Sequence, residues 1–164
     1  MKNFGMRSLM MAALCVVPGV GMAQDLVKVE TVGVWDVLVD PTIGNGCLIN
    51  AEFEDGSDVR IGFDPEKGNG YLMAMNAAWG DIEDDKTYPI SFDVDGQTYN
   101  GDAKGVHLDG VPGVDISFDS ADFLMDIAQK QTLSLSNESG EVMSIDLTDS
   151  HAALEAAAAC QQNQ

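Results

Sequence analysis

The sequence predicts a mainly β fold, an antiparallel sandwich or barrel of about eight strands with two short helices, the last C-terminal and disulfide-linked. Three observations carry this expectation. Apolar and polar residues alternate in short runs along most of the chain. Turn-forming pairs such as Asp55-Gly56 and Asp95-Gly96 separate the runs. Two cysteines, Cys47 and Cys160, remain once an export leader is removed.

The leader comes first in the chain. Lys2 and Arg7 form its charged start, Leu9 to Val17 its apolar stretch, and Gly21-Met22-Ala23 its small-residue cleavage site. Residues 1–23 are therefore expected to be a signal peptide, and residues 24–164 a single β-rich domain, periplasmic or secreted. The apolar stretch is shorter than the roughly 20 residues a bilayer span needs. Cys15 sits inside that stretch behind Ala12-Ala13-Leu14, the reverse of the order a lipoprotein signal requires.

The strands follow in order. Trp35, Val37 and Val39 share one parity; so do Cys47, Ile49, Ala51 and Phe53, and then Val59, Ile61 and Phe63. Tyr71 to Ala77 is apolar on both parities, as in a strand covered on both faces, one of them by a helix. Ile90, Phe92 and Val94 form the next run, then Val114, Ile116 and Phe118, then Leu133 and Leu135, then Met143, Ile145 and Leu147. Gly68-Asn69-Gly70 and Glu138-Ser139-Gly140 supply further turns, so consecutive strands are expected to pair.

Two segments read as helices. Ser120 to Gln131 starts at a capping Asp119 or Ser120 and buries Phe123, Ile127 and either Leu124 or Met125. Asp149 to Cys160 starts at Asp149 or Ser150 and places Ala153, Ala157 and Cys160 on one face. That face has no bulky residue, so the helix can lie close to the strand that carries Cys47 and the small Ala51. A disulfide between Cys47 and Cys160 would fix this docking, with a chain-entropy contribution of roughly 4–5 kcal/mol for so long a loop.

Charge narrows the function. The whole chain has a formal charge of −19, with 8 basic and 27 acidic side chains, and the leader holds two of the basic ones and none of the acidic. This argues against nucleic acid and anionic lipid as partners. It suits solubility in a salty medium, or a cationic partner. No catalytic residue, metal site or cofactor is assigned. There is no Gly-x-Ser-x-Gly, and His107 and His151 read as surface imidazoles. Asp93 to Asp102 resembles a calcium loop only superficially, because Gly96 stands too early in it.

The most interesting surface candidate runs from Asn76 to Lys86. Trp79 lies beside Asp81, Glu83, Asp84 and Asp85. An exposed Trp next to carboxylates would recognise a basic partner; a Trp folded back over the core would not. The leading expectation is a non-enzymatic periplasmic or secreted binding protein. The alternatives are an inhibitor of a cationic hydrolase such as lysozyme, and a hydrolase whose paired carboxyls, raised in pKa, line one pocket.

The layout resembles small exported alphaproteobacterial proteins of the invasion-associated locus B family. The residues that carry the resemblance are Gly33-Val34-Trp35-Asp36-Val37, Cys47, and Asp149 through the alanines to Cys160. Trp35 is not followed closely by a cysteine, a departure from that family's usual Trp-x-x-x-Cys opening. The resemblance implies a β-sandwich, an envelope location and no established catalysis, and it transfers no site residue.

Overall fold

A computed structural model describes residues 25–164. The expected leader lies outside the described residues. The elements are β1 (Val27–Val32), β2 (Trp35–Asp40), β3 (Gly46–Glu52), β4 (Asp58–Asp64), β5 (Asn69–Met75), β6 (Thr87–Val94), β7 (Gln97–Leu108), β8 (Val111–Phe118), α1 (Ala121–Ala128), β9 (Thr132–Asn137), β10 (Gly140–Asp146) and α2 (Ser150–Gln161). All ten strands form one open antiparallel sheet in the order β1-β2-β3-β4-β5-β8-β7-β6-β9-β10.

The strand count corrects the expected eight, and one continuous sheet replaces the sandwich or barrel. Two strands escape the alternation test for physical reasons. In β7 the inward row is Tyr99, Gly101, Ala103 and Gly105, so the row is covered but small and polar-looking in sequence. In β1 two of the three valines face solvent: Val27 and Val29 are each more than half exposed, while Val32 packs against the core. Both edge strands, β1 and β10, carry a bulge, at Lys28/Glu30 and Glu141/Met143. Bulges of this kind discourage pairing with other chains.

The sheet is strongly rolled. Laid flat, β2 and β10 would stand about 38 Å apart at the usual strand spacing. Instead the Trp35 indole N–H donates to the Thr148 carbonyl just past β10, at 3.0 Å. Inward residues from β2 through β10 consequently share one core, with Trp35, Ile49, Ile61, Leu72, Leu133 and Ile145 almost wholly buried. Phe92, Tyr99, Phe118 and Phe123 join it as an aromatic group with centroid separations from 5.3 to 6.5 Å.

The helices fill the roll under β1–β5. Ser120 caps α1, its hydroxyl accepting from the Phe123 amide, and Leu124, Ile127 and Ala128 face inward. Asp149 stands at the N-cap of α2 but makes no side-chain cap bond, and the Ser150 hydroxyl donates instead to the Ala128 carbonyl. Ala153, Leu154 and Ala157 are fully buried against β3 and β2. The Cys47–Cys160 disulfide closes there with the Cα atoms 6.1 Å apart.

β5 is covered on both faces, as its composition requires. Leu72 and Ala74 face the main core; Tyr71 packs outside against Leu38 and Leu48, with Ile43 and Met73 beside them. The inner cover includes α1, whose Leu124 lies over Gly70, and the outer cover is side chains of neighbouring strands. Gly62 makes this cover fit, because a methyl there would stand 2.7 Å from Leu48 Cβ and 2.9 Å from the Tyr71 hydroxyl.

Consecutive pairing fails at two points: β5 and β6 are not partners, and after α1 the chain pairs β9 with β6 rather than with β8. After β5 the chain skips to β6, and β8 returns to pair with β5. This is a Greek key, and its long connection is the segment 76–86.

Candidate functional site

The long connection is an ordered loop. The Asn76 amide N–H bonds the Pro112 carbonyl at 3.1 Å, and its side chain bonds the Ser57 hydroxyl at 3.0 Å. Its side-chain oxygen accepts from Ala78 N–H at 2.8 Å. At the far end Asp85 N–H donates to the Gly105 carbonyl at 2.9 Å, and Gly105 N–H donates to the Lys86 carbonyl at 2.8 Å. Gly105 must be glycine for this docking, because a methyl would overlap the Glu83 carbonyl oxygen. The Tyr88 hydroxyl accepts from Glu83 N–H at 2.9 Å.

This loop roofs a cleft of about 480 Å³ at the end of the roll that the helices leave open. The floor is Val114, Ile116 and Leu135; Ile82, Ile90 and Val142 complete an apolar wall. Trp79 is half-buried on the core's edge and lines the cleft. Its position combines the two alternatives the sequence left open: the ring packs back toward the core and still presents a surface to the opening.

The predicted acidic partners of Trp79 divide. Asp81 lines the cleft with it. Glu83, Asp84 and Asp85 do not; each is engaged by another side chain of the same molecule. Lys86 bonds Glu83, His107 Nδ1 lies 2.7 Å from Asp84, and Lys104 Nζ lies 2.9 Å from Asp85. The Lys104 contact holds the Asp85 carboxyl below its ordinary value, and the Glu83 contact holds Lys86 above its own. Glu138, which the sequence reading took only as a turn residue, joins the cleft from the β9–β10 hairpin. Among the described residues Asp81 and Glu138 form no ion pair, and no Lys, Arg or His lines the cleft. Two signals pointed to the missed lining: Ile82 is the one apolar residue in the acidic run, and Val142 is apolar on the wrong parity for its strand.

Carboxyls with raised pKa stand elsewhere. Burial pushes up Asp58 on β4 and Asp115 on β8, both on the outer face of the sheet. One Asp115 oxygen is buried without a hydrogen-bond partner. Asp115 lines a shallow groove with Asp102, Lys104 and Ser117, and Asp58 takes no part in it. The Asp93–Asp102 segment is the β6–β7 hairpin, in which Asp93 accepts from Gly96 N–H. The Asp95 carboxylate accepts from the Gln131 and Thr132 amides. Among the described residues no three His, Cys, Asp or Glu side chains are grouped as a metal site, and no helix is long and apolar enough to cross a membrane.

Fold and cleft together define a rolled β-sheet domain stapled by a C-terminal helix, with a solvent-open apolar cleft beneath a Greek-key connection. No protein-family model and no curated protein matches the sequence. The chain is similar in structure to invasion associated protein B from Bartonella henselae, with a TM-score of 0.58 and 16% identity, over 81% of this chain and 97% of that one. This agrees with the distant resemblance read from the Trp35, Cys47 and Cys160 pattern.

Proposed function

We propose that the protein is an exported, non-catalytic binding protein that captures its partner in the cleft beneath Trp79. The observation that carries the reading is the cleft itself. It is concave, largely apolar, of a volume usual for binding sites, and fringed by a few polar groups. The two carboxyls whose pKa is raised lie on the other face of the sheet, which removes the main support for a paired-carboxylate hydrolase. The leader-like residues 1–23 and the Cys47–Cys160 bridge support an oxidising, extracytoplasmic setting.

The test is a fragment screen by NMR on isotope-labelled protein. Shifts confined to the backbone amides of 78–82, Tyr88, Ile90, Val114, Ile116 and 135–142 are expected. Turnover of an ester, peptide or glycoside substrate that a substitution in the cleft abolishes would overturn the proposal, as would fragments that bind only elsewhere.

A further inference from the structure

The binding reading leaves open what enters the cleft, and the inference here rests on that reading. We infer that the occupant is a basic segment of a partner polypeptide, which inserts one apolar side chain and sets a lysine or arginine against each of Asp81 and Glu138.

The apolar part follows from the lining. Trp79, Ile82, Ile90 and Val142 surround a floor of core residues, and Val142 is 39% exposed in the free protein. A Phe or Leu side chain placed there removes this surface from water. Indole is also the aromatic ring that cations favour most, so a basic group beside the inserted residue gains from Trp79 as well.

The cationic part follows from how the loop's charges are satisfied. Three of the four acids between Asp81 and Asp85 have a partner from the same molecule, a lysine for Glu83 and for Asp85 and the His107 ring for Asp84, and the one that faces the cleft has no ion pair among the described residues. Glu138 reaches the same opening from a hairpin far away in sequence and is likewise without an ion pair among the described residues. Two carboxylates on two separate walls, with no lining cation, favour a ligand carrying positive charge at two points. The chain's charge of −19 adds long-range attraction for such a partner.

A polypeptide rather than a small amine fits the shape. The cleft is bounded by one loop and one hairpin and open between them, so a small molecule in it keeps one side in solvent. A chain lying across it can reach both walls while one side chain goes down.

The experiment titrates the full-length mature protein with four probes, read by NMR shifts at the cleft and by calorimetry. They are acetyl-Gly-Lys-Phe-Lys-Gly-amide, the same peptide with glutamates for lysines, the same peptide with alanine for phenylalanine, and phenethylamine. The lysine-phenylalanine peptide is expected to bind in the cleft and the glutamate peptide not to bind. The alanine peptide is expected to bind roughly tenfold more weakly. D81N/E138Q is expected to weaken the first peptide roughly fivefold and to flatten its salt dependence, with the thermal midpoint unchanged. Equal binding of the lysine and glutamate peptides, an unaffected D81N/E138Q, or phenethylamine binding as tightly as the peptide would overturn the inference. If phenethylamine and neutral fragments occupy the cleft while the peptides do not, the binding reading stands and this inference falls. If no probe or fragment shifts the cleft, both fall.

Discussion

The indole N–H of Trp35 meets the backbone carbonyl of Thr148 across 113 residues of chain, at 3.0 Å. It joins the second strand to the turn that starts α2, and it holds the first hairpin against the end of the last strand. Gly33 lies at the same junction with φ +60°, and a side chain there would collide with the Asp149 carboxylate. Replacing Trp35 by Phe keeps most of the packing and leaves the carbonyl unpaired. We expect W35F to lose about 2 kcal/mol, measured by urea unfolding. W79F, at the cleft, should change stability by less than about 0.5 kcal/mol.

The disulfide closes the same end of the molecule. The C47S/C160S variant should keep its β-sheet circular dichroism and lose roughly 10 °C in thermal midpoint. Proteolysis should then begin within α2, whose alanine face has few large contacts of its own. Unchanged resistance to protease in that segment would show that the helix docks without the bridge.

The two glycines of β7 separate a steric requirement from mere absence of a side chain. A methyl at Gly105 would strike the Glu83 carbonyl, whereas one at Gly101 would meet only the Phe92 ring at 3.6 Å. G105A is expected to cost about 1–3 kcal/mol and to shift Trp79 emission to longer wavelength as the loop lifts. G101A is expected to be close to neutral. Equal behaviour of the two variants would contradict the docking of residues 76–86 on β7.

Asp115 gives a pH-dependent prediction. Burial raises its pKa, so the folded protein holds that proton more tightly than the unfolded chain does. The resulting cost is absent below the ordinary aspartate range and fully present once the pH passes the folded value. D115N should therefore raise the thermal midpoint by a few degrees at neutral pH and give no gain near about pH 3. Lys67 and Lys104 act on this carboxyl in the opposite direction, and a D115N protein less stable than wild type at neutral pH would show that they dominate.

Much of the fold was legible because burial and parity coincide. Trp35, Val37 and Val39 alternate in sequence and face the core in the structure, and Ala153, Ala157 and Cys160 mark the face of α2 that meets β3. β7 was not legible, because beyond Tyr99 its inward row is Gly101, Ala103 and Gly105, small residues that let Phe92 and the Glu83 backbone approach. β1 shows only Val27 and Val29 in alternation, and both face solvent, while Val32 alone packs against the core. The pairing of β5 with β8 depends on contacts between residues some 40 positions apart, which local turn signals do not encode. Trp79 and Asp81 stood out locally as an aromatic beside an acidic run. Val142 showed only as an apolar residue on the wrong parity and Glu138 not at all, since the long-range pairing of β9 with β6 is what brings their hairpin to this opening.

The connection over the cleft is fastened by main-chain bonds at its two ends and by Trp79 and Ile82, which pack against the edge of the core. Gly80 and Asp81 between them are exposed. Substitutions at positions 80 and 81 can therefore accumulate without unravelling the sheet. The charge presented at the opening is thus free to diversify while the scaffold beneath it stays constant.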